Sequence, residues 1–312
     1  MSSYVVNSLG PLARDHVLSK FMEYRVRAIE KGLIHDQLVL SFQEPVYLID
    51  RVGFEASVCE AVESYGGKLH LRTRITEARL GEGLLRVKEG WTRGDLLIVS
   101  EGALRTVVRE SRICDVSEVL IGPQALVKLG KVSDTVEVIT SPLLGVNGFG
   151  WVIPIDDKHA VVGLITNSRA AGHLLKYVVR KIAVGLSPLD VTVREFFGGL
   201  IPVDKPCREL LGSKHVVVGD AASIVKPLTK GGLYPLVKEV EALETSLRGG
   251  CIDINLFNTR FGETLRLLST QHAALNVIRR LGGYHNLVKL AVKLGLREIK
   301  LMDYDRLVPT TP

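Results

Sequence analysis

The stretch from His215 to Tyr234, HVVVGDAASIVKPLTKGGLY, decides the fold. Its first four residues are apolar or β-favouring, which is typical of a buried strand. Gly219-Asp220 follows at the carboxyl end of that strand, where open α/β sheets bind ligands. Gly231-Gly232 precedes a helix-like segment from Leu233 to Leu247. The sequence therefore predicts a strand, a ligand-facing turn and a helix that begins at a glycine pair.

This predicted turn has the features of an anion-binding corner. No Cβ stands beside the backbone N–H groups of Gly231 and Gly232, so a ligand can approach them closely. The positive end of the helix dipole lies behind them, and Asp220 adds a carboxylate that can accept hydrogen bonds from hydroxyl groups. The same spacing also fits an ordinary strand-to-helix turn, in which Asp220 caps the turn and the glycines relieve a tight bend.

Composition places the chain among folded globular proteins. The chain has 312 residues, of which 46% are hydrophobic and 24% charged, values close to the globular average. This length suffices for one large or two ordinary domains. No stretch reaches the roughly 18 uncharged apolar residues that a membrane-spanning helix needs, and the first residues lack the layout of a signal peptide. We therefore predict a cytoplasmic protein.

Metal and nucleic-acid ligands are both disfavoured by the residue types present. The four cysteines, Cys59, Cys114, Cys207 and Cys251, are widely spaced and form no C-x-x-C pair. We predict that they are small core residues in a reducing compartment and that no metal is bound. The net charge is +6, but aromatic residues make up only 6% of the chain. Without a stacking platform beside a basic run, we predict no nucleic-acid partner.

Periodicity predicts the other elements of the chain. The predicted helices and strands alternate along the sequence, so the sheets are assembled from distant segments. The predictions are a helix near 11–21, a hairpin of 24–30 with 38–42, a helix over 54–65, three antiparallel strands in 68–80, 84–90 and 95–102, further strands within 116–193, a helical stretch near 171–185, and a mostly helical tail from 253 onward.

Two segments together resemble a known family. GGLIPV, which spans Gly198 to Val203, and the segment that begins at His215 are similar to the GGxIP and GDAAGxxxPxxGGGI segments of FAD-dependent geranylgeranyl reductases, which have the p-hydroxybenzoate hydroxylase-like fold. Lys230 stands where the family usually has the first of three glycines, and such a lysine either alters the flavin potential or points to solvent. The resemblance implies cofactor contacts from Gly219, Asp220, Pro227, Gly231, Gly232 and Leu233.

Two further segments resemble cofactor-binding parts of the same family. The run from Tyr47 to Arg51 is similar to a segment whose arginine lies along the FAD, and the run from Leu97 to Ala103 is similar to a strand that ends in Ala-Asp-Gly. They imply cofactor contacts from Arg51, Glu101 and Gly102. Glu101 replaces the family's aspartate and equally fits an exposed turn carboxylate, and Arg51 equally fits a surface charge at a helix start.

The segment GFGWVIP, from Gly148 to Pro154, resembles the family's aromatic-x-Trp-x-Phe-Pro motif, which lines the isoprenoid cavity. Phe149 and Trp151 alternate on a predicted strand and therefore face one side. Such a wall gives a hydrocarbon chain apolar contact without hydrogen bonds. The resemblance implies substrate contacts from Phe149, Trp151 and Pro154, and the alternative is an aromatic pair in an ordinary core.

The opening unit of the family is not found in this sequence. A member begins with a strand, a G-x-G-x-x-G turn and a helix that hold the FAD pyrophosphate, and no such motif follows an apolar strand here. We therefore expect the adenosine-binding part of the FAD site to be absent from this chain. A late start codon, a split protein and a degenerate homologue are the possible explanations. We assign no catalytic residue, because the family's active-site cysteine would precede Met1.

The fold class implied by the resemblance is α/β (α+β). A partial, N-terminally incomplete FAD/NAD(P)-binding-like three-layer domain is expected to contain 1–20, 46–112 and 198–250. An antiparallel, β-rich substrate-binding domain is expected to contain 21–45 and 113–197, and 251–312 form a helical C-terminal region.

A basic stripe follows near the end of the chain. Lys289, Lys293, Arg297 and Lys300 fall on one face if this segment is a single helix. Such a helix could rest on an anionic membrane or form an ordinary solvent face.

The function implied by the resemblance is flavin-dependent reduction of isoprenoid (geranylgeranyl) double bonds. The expected partners are an isoprenoid lipid substrate and an electron donor that is reduced ferredoxin or NAD(P)H. Peripheral contact with a membrane surface stays open. Two alternatives stay open: a flavin-dependent monooxygenase-like hydroxylase and a non-catalytic, isoprenoid-binding partner subunit.

Overall fold

The computed structural model describes residues 1–114, 118–130, 132–183, 192–207, 209–248, 251–307 and 309. It contains a large mixed sheet and a smaller α/β part, which confirms the predicted fold class. The helices are α1 Ser3–Leu9, α2 Pro11–Arg14, α3 Arg51–Ser64, α4 Thr106–Glu110, α5 Ala171–Tyr177, α6 Leu233–Ser246, α7 Ile254–Arg280 and α8 Tyr284–Lys293. The strands are β1 Val17–Glu30, β2 Leu33–Ile49, β3 Glu77–Arg79, β4 Leu84–Val87, β5 Gly90–Arg93, β6 Leu97–Val99, β7 Val119–Lys128, β8 Val136–Thr140, β9 Phe149–Pro154, β10 His159–Ile165, β11 Thr192–Pro202, β12 His215–Val217, β13 Leu247–Arg248, β14 Cys251–Ile252 and β15 Glu298–Leu301.

The large sheet has eight strands in the order β11-β7-β10-β9-β8-β1-β2-β15. Strand β1 runs parallel to β8, and β15 runs parallel to β2, whereas the other neighbours are antiparallel. The predicted hairpin is confirmed as β1 and β2, which are longer than predicted. Lys31 and Gly32 form its turn with φ values of 51° and 81°, and positive φ at both positions is what a two-residue type I′ turn requires.

Two helical layers cover this sheet. Helix α5 and a π-helical turn over Val178–Ala183 pack on it, with Leu175 and Val178 in one core cluster with strand residues such as Val162. The last positions of the predicted helical stretch, 184 and 185, lie outside the described residues. Helix α8 covers β1 and β2 through Val288 and Val292. Within the described ranges, no helix is long and apolar enough to cross a membrane.

The smaller part surrounds a parallel pair of strands, β6 and β12. Helices α6 and α7 pack beside this pair, and Phe257, Phe261 and Leu268 of α7 are fully buried in one core cluster with Val217 and Ala221. Helix α7 begins where Asp253 Oδ1 accepts a hydrogen bond from the Leu256 N–H at 3.0 Å, as an N-cap does. This part places the end of β12 against the start of α6.

Three predicted elements were wrong in their extent or pairing. Only the short α2 is helical within 11–21, and extended structure already begins at Val17. Within 68–80, only Glu77–Arg79 forms a strand, and it pairs with β4. The residues before it, which include Lys68, Arg72 and Arg74, belong to no strand. Strand β6 leaves the antiparallel unit and pairs in parallel with β12. Local alternation indicates an extended chain but not its partner.

The prediction that the four basic residues near the end of the chain lie on one helical face was also wrong. Helix α8 ends at Lys293, and Gly295 with φ 88° terminates it, so Arg297 lies beyond the helix and Lys300 lies in β15. Lys289 forms an ion pair with Glu30, with 3.0 Å between Nζ and Oε1.

The prediction of four core cysteines is confirmed for Cys207, which is buried in the core, and for Cys114, which packs against that core, and is wrong for Cys59 and Cys251. Cys114 and Cys207 form a disulfide, whereas Cys59 and Cys251 are exposed free thiols. Spacing along the chain could not show that two cysteines 93 residues apart lie next to each other.

Candidate functional site

A glycine and a buried carboxyl group shape the turn after β12. Gly219 has a φ of 59°, a left-handed conformation that costs about 1–2 kcal/mol for a residue with a Cβ. Its N–H donates to Glu239 Oε2 at 2.9 Å. Glu239 lies on α6 and is fully buried, and burial raises its pKa to about 8 against the opposing effect of the Gly219 N–H. At neutral pH, Glu239 is therefore mostly protonated and holds the turn from the α6 side.

Arg105 holds the other side of this turn. Its buried side chain donates from Nε to the Asp220 carbonyl oxygen at 3.1 Å. It also donates to Ser223 Oγ and pairs through Nη1 with Asp204 Oδ2 at 2.9 Å. A buried guanidinium needs such a set of partners to offset its desolvation. Arg105 and Glu239 together fix the position of the turn.

The loop that leads to α6 folds around another buried charge, Lys226. Its Nζ donates to Asp305 Oδ1 at 2.5 Å and lies 4.3 Å from the centroid of the Tyr304 ring. A Cβ on Gly231 would lie only 3.1 Å from Lys226 Cε, so Gly231 makes room for this side chain. The loop is thereby attached to the C-terminal segment of the chain.

A cleft of about 330 Å³ opens between this loop, the end of β6 and the start of α3. Residues predicted to bind the cofactor come together here from three distant parts of the chain. These are Arg51, Gly102, Gly219, Asp220, Gly232 and Leu233. The cleft is also lined by Ser100, Ile201, Val218, Val225, Lys230 and Leu236.

The N-terminus of α6 faces the cleft. Gly232 is the N-cap residue, no side chain caps the helix, and its first turn contains no acidic residue. The first N–H groups and the positive end of the helix dipole are therefore available to a ligand. A Cβ on Gly232 would lie 3.0 Å from Asp220 Oδ1. Glycine at this position keeps the approach to the helix end open.

Asp220 supplies the carboxylate of the cleft. Burial raises the pKa of Asp220, and the positive charges of Arg105 and Arg51 oppose that rise. No described residue donates a hydrogen bond to its side-chain oxygens. Asp220 is therefore available to accept hydrogen bonds from hydroxyl groups of a ligand.

Three of the predicted cofactor residues lie outside the cleft lining. The carboxylate of Glu101 accepts hydrogen bonds from the N–H groups of Val107 and Val108 at 2.9 and 2.8 Å, so it caps α4. Pro227 turns its carbonyl oxygen toward Lys230 Nζ, 2.5 Å away. Gly231 packs against Lys226. Pro227 and Gly231 therefore support the loop that borders the cleft, whereas Glu101 supports α4.

The predicted aromatic wall is present on β9. The ring centroids of Phe149 and Trp151 are 6.0 Å apart, and Tyr284 of α8 adds an edge-on contact 5.6 Å from Phe149. Both β9 aromatics belong to one apolar cluster with Ile201, which also lines the cleft. Ile201 therefore belongs both to the cleft lining and to the residues that pack on the same apolar cluster as the wall.

Pro154 does not join this wall. It lies three residues beyond Trp151, so strand alternation turns it to the opposite face. It is buried there and lines a separate cavity with Phe21 and Asp134.

The buried polar residues that hold the site were missed from sequence. Glu239, Arg105 and Lys226 carry charges in segments that otherwise look ordinary. One signal existed for Glu239, because it follows Pro235 by four residues and precedes Ala242 by three, and all three are buried on α6. A carboxylate on the buried stripe of a helix indicates a specific partner.

Comparison with solved structures identifies the architecture. A geranylgeranyl bacteriochlorophyll reductase-like protein from Thermoplasma acidophilum superposes with a TM-score of 0.72 at 14% identity, over 94% of this chain and 79% of that one. The chain shares the fold of this protein. A flavin-dependent brominase shares this fold with a TM-score of 0.62 at 16% identity, over 93% of this chain and 78% of the brominase.

A halogenase variant solved in complex with FAD has the same fold. It superposes with a TM-score of 0.64 at 11% identity, over 90% of this chain and 64% of the halogenase. No protein-family model and no curated protein matches the sequence itself. The superpositions establish the fold, and the reaction has to be argued from the site because the sequence identities are low.

Proposed function

We propose that the cleft binds the flavin half of FAD and that the protein is a flavin-dependent reductase of isoprenoid double bonds, acting on a geranylgeranyl lipid or prenyl diphosphate. One observation carries the proposal. Arg51, Gly102, Asp220 and Gly232, distant in sequence, line one cleft beside the uncapped N-terminus of α6. The proposal concerns the flavin and ribityl half of FAD, because no G-x-G-x-x-G motif follows an apolar strand in the sequence.

The residues of the cleft fit a flavin. The N–H groups of α6 and the positive helix end suit the N1–C2 carbonyl edge, where a reduced flavin is negative. Asp220 suits the hydroxyl groups of the ribityl chain, and the missing Cβ at Gly232 leaves the space between the two. When bound, FAD supplies hydride-transfer chemistry. The protein's part is to bind and orient the reactants, which lowers the barrier through proximity.

The aromatic wall suits the proposed substrate. Phe149, Trp151 and Tyr284 present aromatic rings, and Ile201 of the cleft packs on the same apolar cluster as Phe149 and Trp151. An isolated alkene offers no strong hydrogen-bonding group, so apolar contact is the interaction that can position it. The reductase-like neighbour has a substrate of this chemical type in its name. Reduced ferredoxin or NAD(P)H is the proposed electron donor.

A flavin-dependent oxygenating enzyme is the second candidate. The brominase and the halogenase share the fold at TM-scores close to that of the reductase-like protein. Such an enzyme would consume oxygen and transfer oxygen or a halogen to the substrate, whereas a reductase adds two hydrogens to each double bond.

Product analysis separates these reactions. The FAD-loaded protein is reduced with dithionite without oxygen and mixed with a geranylgeranyl lipid, and the product is weighed by mass spectrometry. We expect a gain of two hydrogens per reduced bond and a slower reaction in Trp151→Ala. Trp91→Ala is the matched control, because Trp91 is the other tryptophan and is exposed on β5. A flavin-loaded protein that leaves the lipid unchanged, or that modifies it only with oxygen present, would contradict the reductase proposal.

A further inference from the structure

Lys230 has an unusual backbone conformation in the cleft wall. Its φ is 60°, in the left-handed region that costs about 1–2 kcal/mol for a residue with a Cβ. A glycine would adopt this conformation without strain. The side chain is also only 7% exposed, so it does not point to solvent. A buried, strained lysine in the wall of a binding cleft calls for a compensating interaction.

Within the described part of the chain, Lys230 has no ion-pair partner. Its Nζ donates one hydrogen bond, to the Pro227 carbonyl oxygen at 2.5 Å, and none of the ion pairs includes it. Burial and the positive charge of Arg279 lower the pKa of Lys230 to about 8, and Glu118 opposes this only in part. An ammonium group without a carboxylate costs free energy to bury.

The location of Lys230 suggests what balances this charge. Lys230 lines the same cleft as Asp220, Gly232 and Leu233, two positions before the N-cap residue of α6. The helix end and the ammonium group therefore contribute positive potential to one wall. An anionic group of a ligand against this wall would gain from both.

On the basis of the proposed flavin site, we infer that Lys230 favours the anionic reduced form of the bound flavin and so raises its reduction potential. Two electrons and one proton convert the neutral oxidised ring into the reduced anion, whose charge lies along the N1–C2 carbonyl edge. A positive charge beside this edge stabilises the product more than the reactant. The affinity for sulfite reports the same stabilisation of a negative ring. The sulfur of sulfite forms a bond to N5 of the flavin, and the adduct carries a negative charge on the ring.

The competing explanation is that Lys230 only caps the carbonyl oxygen of Pro227. Three substitutions separate the two roles. Lys230→Met removes the charge and keeps the length of the side chain. Lys230→Arg keeps the charge, and Lys230→Gly removes the charge together with the left-handed strain. If Lys230→Met folds poorly, Lys230→Gly carries the comparison in its place.

The test measures sulfite dissociation constants and flavin reduction potentials for the FAD-loaded proteins. We expect the charge-removing variants to bind sulfite about tenfold more weakly than the wild type, with a potential lower by about 30 mV, the two-electron equivalent of tenfold. Lys230→Arg should stay near the wild type. Lys158→Met controls for net charge, because Lys158 is exposed in the turn between β9 and β10, and it should not differ from the wild type.

Two results would overturn the inference in distinguishable ways. If every variant binds flavin and all share one sulfite affinity and one potential, Lys230 has no electrostatic role while the flavin site stands. If neither the wild type nor any variant binds flavin, the proposed function fails, and the role of Lys230 fails with it.

Discussion

At the scale of single residues, the turn after β12 depends on an acid that is protonated at neutral pH. Glu239 has a pKa of about 8 against an ordinary value of 4.5 because it is buried. The folded state therefore holds a proton that the unfolded state releases above pH 4.5. The stabilisation linked to this proton is complete below about pH 4.5 and is lost as the pH rises through about 8.

Glu239→Gln should remove this dependence, because glutamine does not ionise and can still accept the Gly219 hydrogen bond. We expect the variant to be more stable than the wild type at pH 9, by up to roughly 5 kcal/mol, and the difference to disappear or reverse at pH 5. Urea unfolding at several pH values measures the stability difference between the variant and the wild type. Glu244→Gln, at an exposed position of the same helix, should keep the wild-type slope. Equal slopes in Glu239→Gln and the wild type would disprove the assignment.

The two glycines Gly219 and Gly172 offer a matched pair for the strain at the turn. Gly219→Ala should destabilise the protein by about 1–2 kcal/mol because alanine is strained at a φ of 59°. Gly172→Ala should stabilise it by about 0.5–1 kcal/mol, since Gly172 lies in α5 with open space at its Cβ position. Thermal unfolding of both variants gives the comparison. Effects of the same sign would show that the turn is not strained as described.

At the scale of elements, the cleft loop depends on its attachment to the C-terminal segment. Asp305→Asn removes the carboxylate that pairs with the buried Lys226 and should cost about 3–5 kcal/mol. The double variant Lys226→Met/Asp305→Asn should recover part of this loss. Glu82→Gln breaks an exposed pair with Arg79 and should cost less than about 1 kcal/mol. Denaturant unfolding measures these losses in the free energy of unfolding. Similar losses for Asp305→Asn and Glu82→Gln would refute the structural role of the buried pair.

The same elements show how far a sequence can predict this site. Gly219, Asp220 and Gly232 were predicted to meet because a short apolar strand, a turn and a glycine-led helix leave few ways to fold. Arg51 and Gly102 were added through resemblance, and both line the cleft. Asp305, 79 residues from Lys226, could not be predicted as its partner, because nothing in either local sequence specifies a distant counter-charge. The pairing of β6 with β12 was missed for the same reason.

At the scale of the whole molecule, the disulfide between Cys114 and Cys207 joins segments 93 residues apart. Closing a loop of this length stabilises a fold by roughly 2–4 kcal/mol. Alkylation of the unreduced, unfolded protein should label two thiols, those of Cys59 and Cys251, and reduction should raise the count to four and lower the melting temperature. Four labelled thiols before reduction would show that the bond does not form under the conditions used.

Flavin titration of three proteins tests the claim that the cleft at the N-terminus of α6 binds a flavin ring. Flavin fluorescence and visible absorbance are followed with FAD and with riboflavin, which lacks the adenosine half. We expect saturable binding by the wild type and by Gly172→Val, and at least tenfold weaker binding by Gly232→Val, whose side chain would fill the space beside Asp220. Absence of flavin binding by the wild type, or equal binding by Gly232→Val, would contradict the claim.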